Sequence, residues 1–301
     1  MKLEIKQLIK NFGDHEVLKG VEFAVDSGNS LGLLGRNGAG KTTTIRIIMD
    51  VFEADSGEVL MDGKPFRQGD YRIGYLPEER GLYPKRLIVD QLVYLASLRG
   101  LSHTDAKQSV HTWLERMELA GYADKKVDSL SKGNQQKIQL AVAMLNDPEI
   151  LILDEPFSGL DPVNAKLLKE IVRESISAGK IVLFSSHQMS YVEEFCKNIA
   201  ILNQGKIVLD TDIDAHKRSY DRRHLVLDIP GDAREKAAAY LSGQGLRTER
   251  IQQELHLYVP EAQESLAILS GLHHSGVPVE GYRVFEPSLE DIFVEYTSRA
   301  I

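Results

Sequence analysis

The segment Gly35-Arg36-Asn37-Gly38-Ala39-Gly40-Lys41-Thr42 restricts what this 301-residue chain can fold into more than any other stretch. It fits the pattern G-x-x-x-x-G-K-[ST] and lies between a short apolar run, Leu31-Gly32-Leu33-Leu34, and a stretch of helical periodicity, Lys41 to Val51. A buried strand that turns through glycines into a helix aims successive backbone N–H groups, and the positive end of the helix dipole, at one point. Glycines let such a loop close around phosphate oxygens. In that geometry Lys41 contacts the β- and γ-phosphates of a nucleotide and the Thr42 hydroxyl ligates Mg²⁺. The expected cradle is therefore Gly35, Arg36, Asn37, Gly38, Ala39, Gly40, Lys41, Thr42 and Thr43, with ATP and Mg²⁺ as its ligands.

A second apolar run, Ile150-Leu151-Ile152-Leu153, reads as a strand of the buried, parallel type and delivers Asp154 and Glu155 to its C-terminal end, where ligands of parallel sheets bind. Asp154 is expected to hold Mg²⁺ directly or through water, and Glu155 to act on the attacking water as general base. Ile181 to Phe184 is the next buried strand, and Asp161-Pro162 has the form of a helix start. Alternation of strand and helix implies an α/β core with a mainly parallel sheet. Leu3 to Phe12, Val17 to Val25 and Gly57 to Met61 read as strands, the first two with no helix between them, so a flanking antiparallel β subdomain is expected. Val89 to Leu98, Thr104 to Leu119 and Asn134 to Leu145 are helical. The charged stretch Lys217 to Arg223 suggests a boundary between domains 1–220 and 221–301. Beyond it the order βαββαβα suggests a small ferredoxin-like α+β domain.

With these residues in place, the chain resembles the ATP-binding subunits of ABC transporters. Leu130-Ser131-Lys132-Gly133-Asn134 resembles their LSGGQ signature, and Ser158-Gly159-Leu160-Asp161 their D-loop. His187 falls at the switch histidine, Leu76-Pro77-Glu78 at the Q-loop, and Phe12 at the adenine-stacking aromatic. The resemblance implies a P-loop ATPase core with a helical signature subdomain. It also implies two subunits packed head to tail, so that Ser131 and Gly133 of one bind the γ-phosphate held by Lys41 of the other. His187 would reach the same phosphate and, with Glu155, form the catalytic pair. Phe12 either stacks on adenine or fills the sheet core. The sequence departs from the family pattern at Glu78, where Gln is usual, at Lys132, where Gly is usual, and at Asn134, where Gln is usual; a carboxylate at position 78 can join Thr42 and Asp154 in ligating Mg²⁺. The stretch 76–83 and the segment Pro287 to Phe293 are similar to export-type subunits of bacteria and archaea, among them sodium and antibiotic or peptide exporters.

Composition sets the partners. A formal charge of -8 offers no electrostatic footprint for nucleic acid. The single cysteine, Cys196, excludes an internal disulfide and fits a reducing compartment. No run of about 20 apolar residues is present to span a bilayer. The expectation is a cytoplasmic ATPase, peripheral on the inner face of the cell membrane through a separately encoded permease and paired with a second ATPase subunit as a homodimer. The permease contact is expected between residues 78 and 100, with Leu82 and Tyr83 foremost. The alternative is a soluble ATPase of the same family that is not coupled to transport.

Overall fold

The computed structural model describes residues 1–79, 81–157, 160, 162–251, 253–261 and 264–298, the side chains of 162 and 163 excepted. The first strands, β1 (Lys2–Phe12) and β2 (His15–Asp26), form a hairpin. Then β3 (Ser30–Gly35) leads into α1 (Lys41–Ile48). The helix stops short of the expected Val51 because Asp50 adopts the left-handed conformation, φ 54°, and the Val51 N–H donates to the Arg46 carbonyl at 2.8 Å, closing the C-terminal turn. Next come β4 (Ser56–Met61) and β5 (Lys64–Pro65). Together β2-β1-β4-β5 make the expected antiparallel sheet.

The chain continues through β6 (Ile73–Leu76), α2 (Ile88–Leu98), α3 (His103–Arg116), α4 (Lys132–Met144), β7 (Ile150–Asp154), α5 (Pro162–Ser177), β8 (Ile181–Ser185) and α6 (Met189–Phe195). The hairpin of β9 (Asn198–Asn203) and β10 (Lys206–Asp212) follows, in a region the sequence reading leaves unassigned. The order β10-β9-β3-β8-β7-β6 is parallel except for β10. Every residue of β3, β7 and β8 is buried, as both faces of this sheet are covered. Leu31, Leu33, Ile150, Ile152, Ile181 and Leu183 point to one face and pack with Ile45 and Ile48 of α1 and Leu3, Ile5, Phe23 and Val25 of the antiparallel sheet. Each such fully buried side chain contributes roughly 1.5–3 kcal/mol. This packing pins the turn after β3 and the end of β7 side by side.

Two compact units result: Met1–Ile213 with the segment from Leu289 onward, and Asp214–Ser288. The short helix α7 (Ile213–Arg218) ends just inside the stretch read as a boundary, Lys217 to Arg223. In the second unit β11 (His224–Asp228), α8 (Arg234–Gly243), β12 (Arg247–Ile251), β13 (Glu254–Tyr258), α9 (Ser265–His274) and β14 (Gly281–Val284) build a fully antiparallel sheet of order β12-β13-β11-β14. That is the ferredoxin-like arrangement. Leu225, Leu227, Leu255 and Leu257 meet Ala237, Leu241, Leu269 and Leu272 of its helices. The last helix, α10 (Leu289–Ser298), differs from the expected 221–301 domain: it packs with α6, β9 and β10 of the first unit, where Asn203 Nδ2 donates to the Thr297 carbonyl at 3.5 Å.

Candidate functional site

The turn after β3 is shaped by Gly40, whose φ of 114° is closed to most side chains and where a Cβ would fall 2.6 Å from Leu18 Cδ2. The loop thus lies tight on β2 and opens α1 toward a cleft of about 400 Å³. Of the expected cradle, Arg36, Asn37, Gly38, Gly40, Lys41, Thr42 and Thr43 line this cleft; Gly35 and Ala39 are buried behind it. Lys41 is buried at 7% exposure, and its Nζ donates to the Gly35 carbonyl at 2.7 Å, folded back on its own loop.

Opposite stand the carboxylates. Asp154 is 1% exposed and accepts hydrogen bonds from Ser185 Oγ and, at 3.4 Å, from Thr42 Oγ1. Burial holds its carboxyl above the ordinary range; the Ser185 hydrogen bond opposes this, the Glu155 carboxylate adds to it, and Lys41 and Thr42 oppose it. Glu155 has a left-handed backbone, φ 50°, which only over-determined surroundings keep in a non-glycine residue. Its N–H donates to the Ser185 carbonyl at 3.0 Å, Ser186 Oγ donates to Oε2 at 3.2 Å, and His187 Nδ1 lies 2.9 Å from Oε1. Glu78 completes the acidic wall. Thr42, Asp154 and Glu78 supply only oxygen donors, the set a hard divalent cation takes, and a cation there would offset the burial of Asp154.

The ABC transporter family model matches residues 18–158, the model described as ATP-binding protein DrrA1-3-like, C-terminal domain, matches residues 212–297, and an AAA domain model matches 126–193. The ABC transporter ATP-binding protein YhaQ of Bacillus subtilis is 43% identical over 295 residues, 97% of each chain. Nod factor export ATP-binding protein I of Cupriavidus metallidurans is 31% identical over 99% of this chain and 97% of its own. The solved ATP binding subunit of an ABC transporter aligns with a TM-score of 0.67 at 31% identity, over 72% of this chain and 92% of that one. The chain belongs to the ATP-binding subunits of ABC transporters.

The other motifs of this ABC ATPase fall in two places. Phe12 lines the cleft at 44% exposure, with Phe52 edge-on at 5.3 Å and Lys10 Nζ 5.6 Å from its ring centre, so it stands beside the sheet core and not in it. His187 reaches the site through Glu155 and is 58% exposed. Ser131 and Gly133 do not line the cleft. Ser131 caps α4, its Oγ accepting from the Asn134 N–H at 3.3 Å, and with Lys132 it is exposed. Of the D-loop, Ser158, Gly159 and Asp161 lie outside the described residues.

The sequence reading passes over Ser185 and Ser186, which hold the two carboxylates. Their signal is position: Ser185 ends the buried strand β8 and Ser186 follows it, directly before His187. His15 and Val17 also line the cleft next to Phe12, placed there by the hairpin register that sets Phe12 opposite His15. Pairing of that kind is not written in a single strand's sequence.

Proposed function

We propose that this ABC ATPase works as one half of an ATP-sandwich homodimer and powers a separately encoded, export-type permease from the inner, cytoplasmic face of the membrane. One observation carries the sandwich: Lys41, Asp154 and Glu155 converge on the cleft while exposed Ser131 and half-buried Gly133 of the same chain lie outside it. Two copies packed head to tail would close each cleft with the other's signature.

In this reading Phe12 stacks on the base and Lys41 leaves the Gly35 carbonyl for the β- and γ-phosphates. Thr42, Asp154 and Glu78 would hold Mg²⁺, which neutralises developing charge on the phosphates when bound. Glu155, fixed by Ser186 and His187, takes the proton of the attacking water; His187 then turns toward the γ-phosphate. Export as the direction rests on similarity to the Nod factor export protein and on the stretch 76–83. Docking on the permease draws support from exposed apolar side chains, Tyr83 at 67%, Tyr94 at 60% and Leu98 at 65%. The Tyr83 backbone is held by Gln91, whose Oε1 accepts from its N–H at 3.2 Å, so the ring is presented by a fixed loop.

Glu155→Gln is expected to keep ATP binding and lower steady-state phosphate release by ~10²–10⁴-fold. With ATP it should shift to a dimer in light scattering, and adding Ser131→Arg should prevent that shift. Wild-type release by Glu155→Gln would overturn the general base. A monomer under all ATP conditions, with hydrolysis intact, would overturn the sandwich.

A further inference from the structure

The helix α4 begins at the signature, at Ser131, and runs directly over β6. At Gly74 of that strand a Cβ would stand 2.3 Å from the Ala143 carbonyl, so helix and strand are in backbone contact and cannot slide freely. Between these two ends two buried amides reach out to loops of the nucleotide cleft. Gln136, 8% exposed, donates from Nε2 to the Pro156 carbonyl at 3.2 Å, next to Glu155. Gln139, 5% exposed, donates from Nε2 to the Glu79 carbonyl at 3.3 Å, next to Glu78. Among the described residues the Gln139 Oε1 atom has no hydrogen-bond partner.

A buried amide with an orphan carbonyl is a costly choice for a helix position whose neighbours Ile138, Leu140 and Ala141 are apolar core. Leucine would fill the same space without that cost. The retained hydrogen bond fixes one thing, the backbone one residue beyond Glu78. We propose that Gln139 is a positioning residue for ATP hydrolysis: it clamps the segment carrying Glu78 to the helix that Ser131 caps and whose first turn carries Gly133. Gln139 lies eight positions beyond Ser131, a rise of about 12 Å at about 1.5 Å per residue. A shift of the signature against a nucleotide on a second copy is thereby handed, through one rigid rod, to the carboxylate in this chain's own cleft. The orphan Oε1 leaves the clamp one free acceptor for a backbone N–H when the segment moves. This inference rests on the nucleotide role proposed for Glu78 and on the sandwich.

The test is a double-mutant cycle on the full-length chain. Gln139→Leu removes the donor and the orphan carbonyl together, so the fold should survive; Gln139→Met serves if leucine does not express. The expected result is a kcat about tenfold lower with the KM for ATP within about twofold, the mark of a misplaced group rather than of lost binding. Glu78→Ala should lower kcat as well, and the double variant should be no slower than Glu78→Ala alone, because the clamp acts through that carboxylate. A wild-type kcat for Gln139→Leu and Gln139→Met beside a slow Glu78→Ala overturns the clamp alone. Multiplying effects also overturn it, since they are what a general loss of packing would give. A Glu78→Ala variant with wild-type kcat removes the role of Glu78 and the clamp with it.

Discussion

Around the phosphate loop, Lys41, Asp154 and Glu155 are buried as charge-bearing groups whose hydrogen bonds run largely to one another's loops, to Ser185, Ser186 and the Gly35 carbonyl. The ferredoxin-like unit also packs a titratable pair, buried His256 and half-buried His224, but of the opposite kind. His224 Nε2 and His256 Nδ1 share a hydrogen bond of 2.8 Å on neighbouring strands, and the His224 ring is stacked between Tyr258 and Phe285 at 4.3 Å each. Burial pushes both imidazoles below their ordinary range, toward the neutral form. In the first unit burial works against the charge of Asp154, a cost that a bound cation would offset; in the second it works toward the neutral form of both rings. That contrast separates a reaction site from a packing solution, although both show perturbed side chains.

The contrast is broken most severely if the two units are not separable as the packing indicates. Replacing residues 214–288 with a flexible glycine-serine linker should leave ATP binding intact. Ending the chain after residue 213 also removes α10, whose Leu289 and Ile292 are fully buried. Loss of two such side chains costs roughly 3–6 kcal/mol, a fall of ~10 °C or more in the unfolding temperature of the ATPase unit. Calorimetry on both forms decides this, and equal unfolding temperatures would make α10 an appendage.

The same helix marks where the sequence stopped being legible. The apolar spacing in Leu289–Tyr296 states that one face must be buried, but not against which unit. A family boundary does not state it either, since the C-terminal model runs to residue 297 while the packing returns the chain to β9 and β10 after Ser288. By contrast the phosphate loop, Asp154 and Glu155 were readable because phosphate chemistry demands those residue types at that spacing. Phe12 was open between core and cleft, as an aromatic at a strand end satisfies both patterns, and only the hairpin register settles its exposure. Ser185 and Ser186 escaped because serine after a strand carries no distinct periodic or chemical signal until its partner carboxylates are in place.

A smaller effect sharpens the first half of the contrast. Since burial raises the Asp154 pKa above 3.8, the folded state favours its protonated form. The cost of the ionised carboxylate is absent well below the unfolded pKa and complete above the raised folded one, so stability is lost as pH rises through that window. Asp154→Asn keeps an oxygen for Ser185 and removes the charge. Without nucleotide or Mg²⁺ it is expected to unfold about 2–4 °C higher than the parent at pH 7, with the gap closing as pH falls. It should be far less stabilised than the parent by ATP with Mg²⁺. An unfolding temperature below that of the parent at pH 7 would show that the carboxylate stabilises the empty site.

The smallest effect concerns the histidine pair, and its sign is opposite. His256 and His224 titrate below 6.5 in the folded unit, with burial the main cause for both; the His256 charge also disfavours protonation of His224. Glu249, Asp221 and Glu254 pull the other way, while Arg247 and Arg283 add to the depression. Below pH 6.5 the unfolded chain takes up protons that the folded pair declines, so this contribution to stability is whole above that pH and shrinks as pH falls toward the folded values. Hydrogen exchange of β11 and β13, corrected for intrinsic rates, should therefore quicken a few-fold between pH 7.5 and pH 5.5. His256→Phe removes one titrating ring, with its Nε2 atom that lies 3.6 Å from Glu254 Oε2 and has no hydrogen bond among the described residues, and should abolish most of that change. Acidification then loosens the accessory unit whereas it relieves Asp154, and a wild-type chain whose two units respond in the same direction would erase the distinction drawn between them.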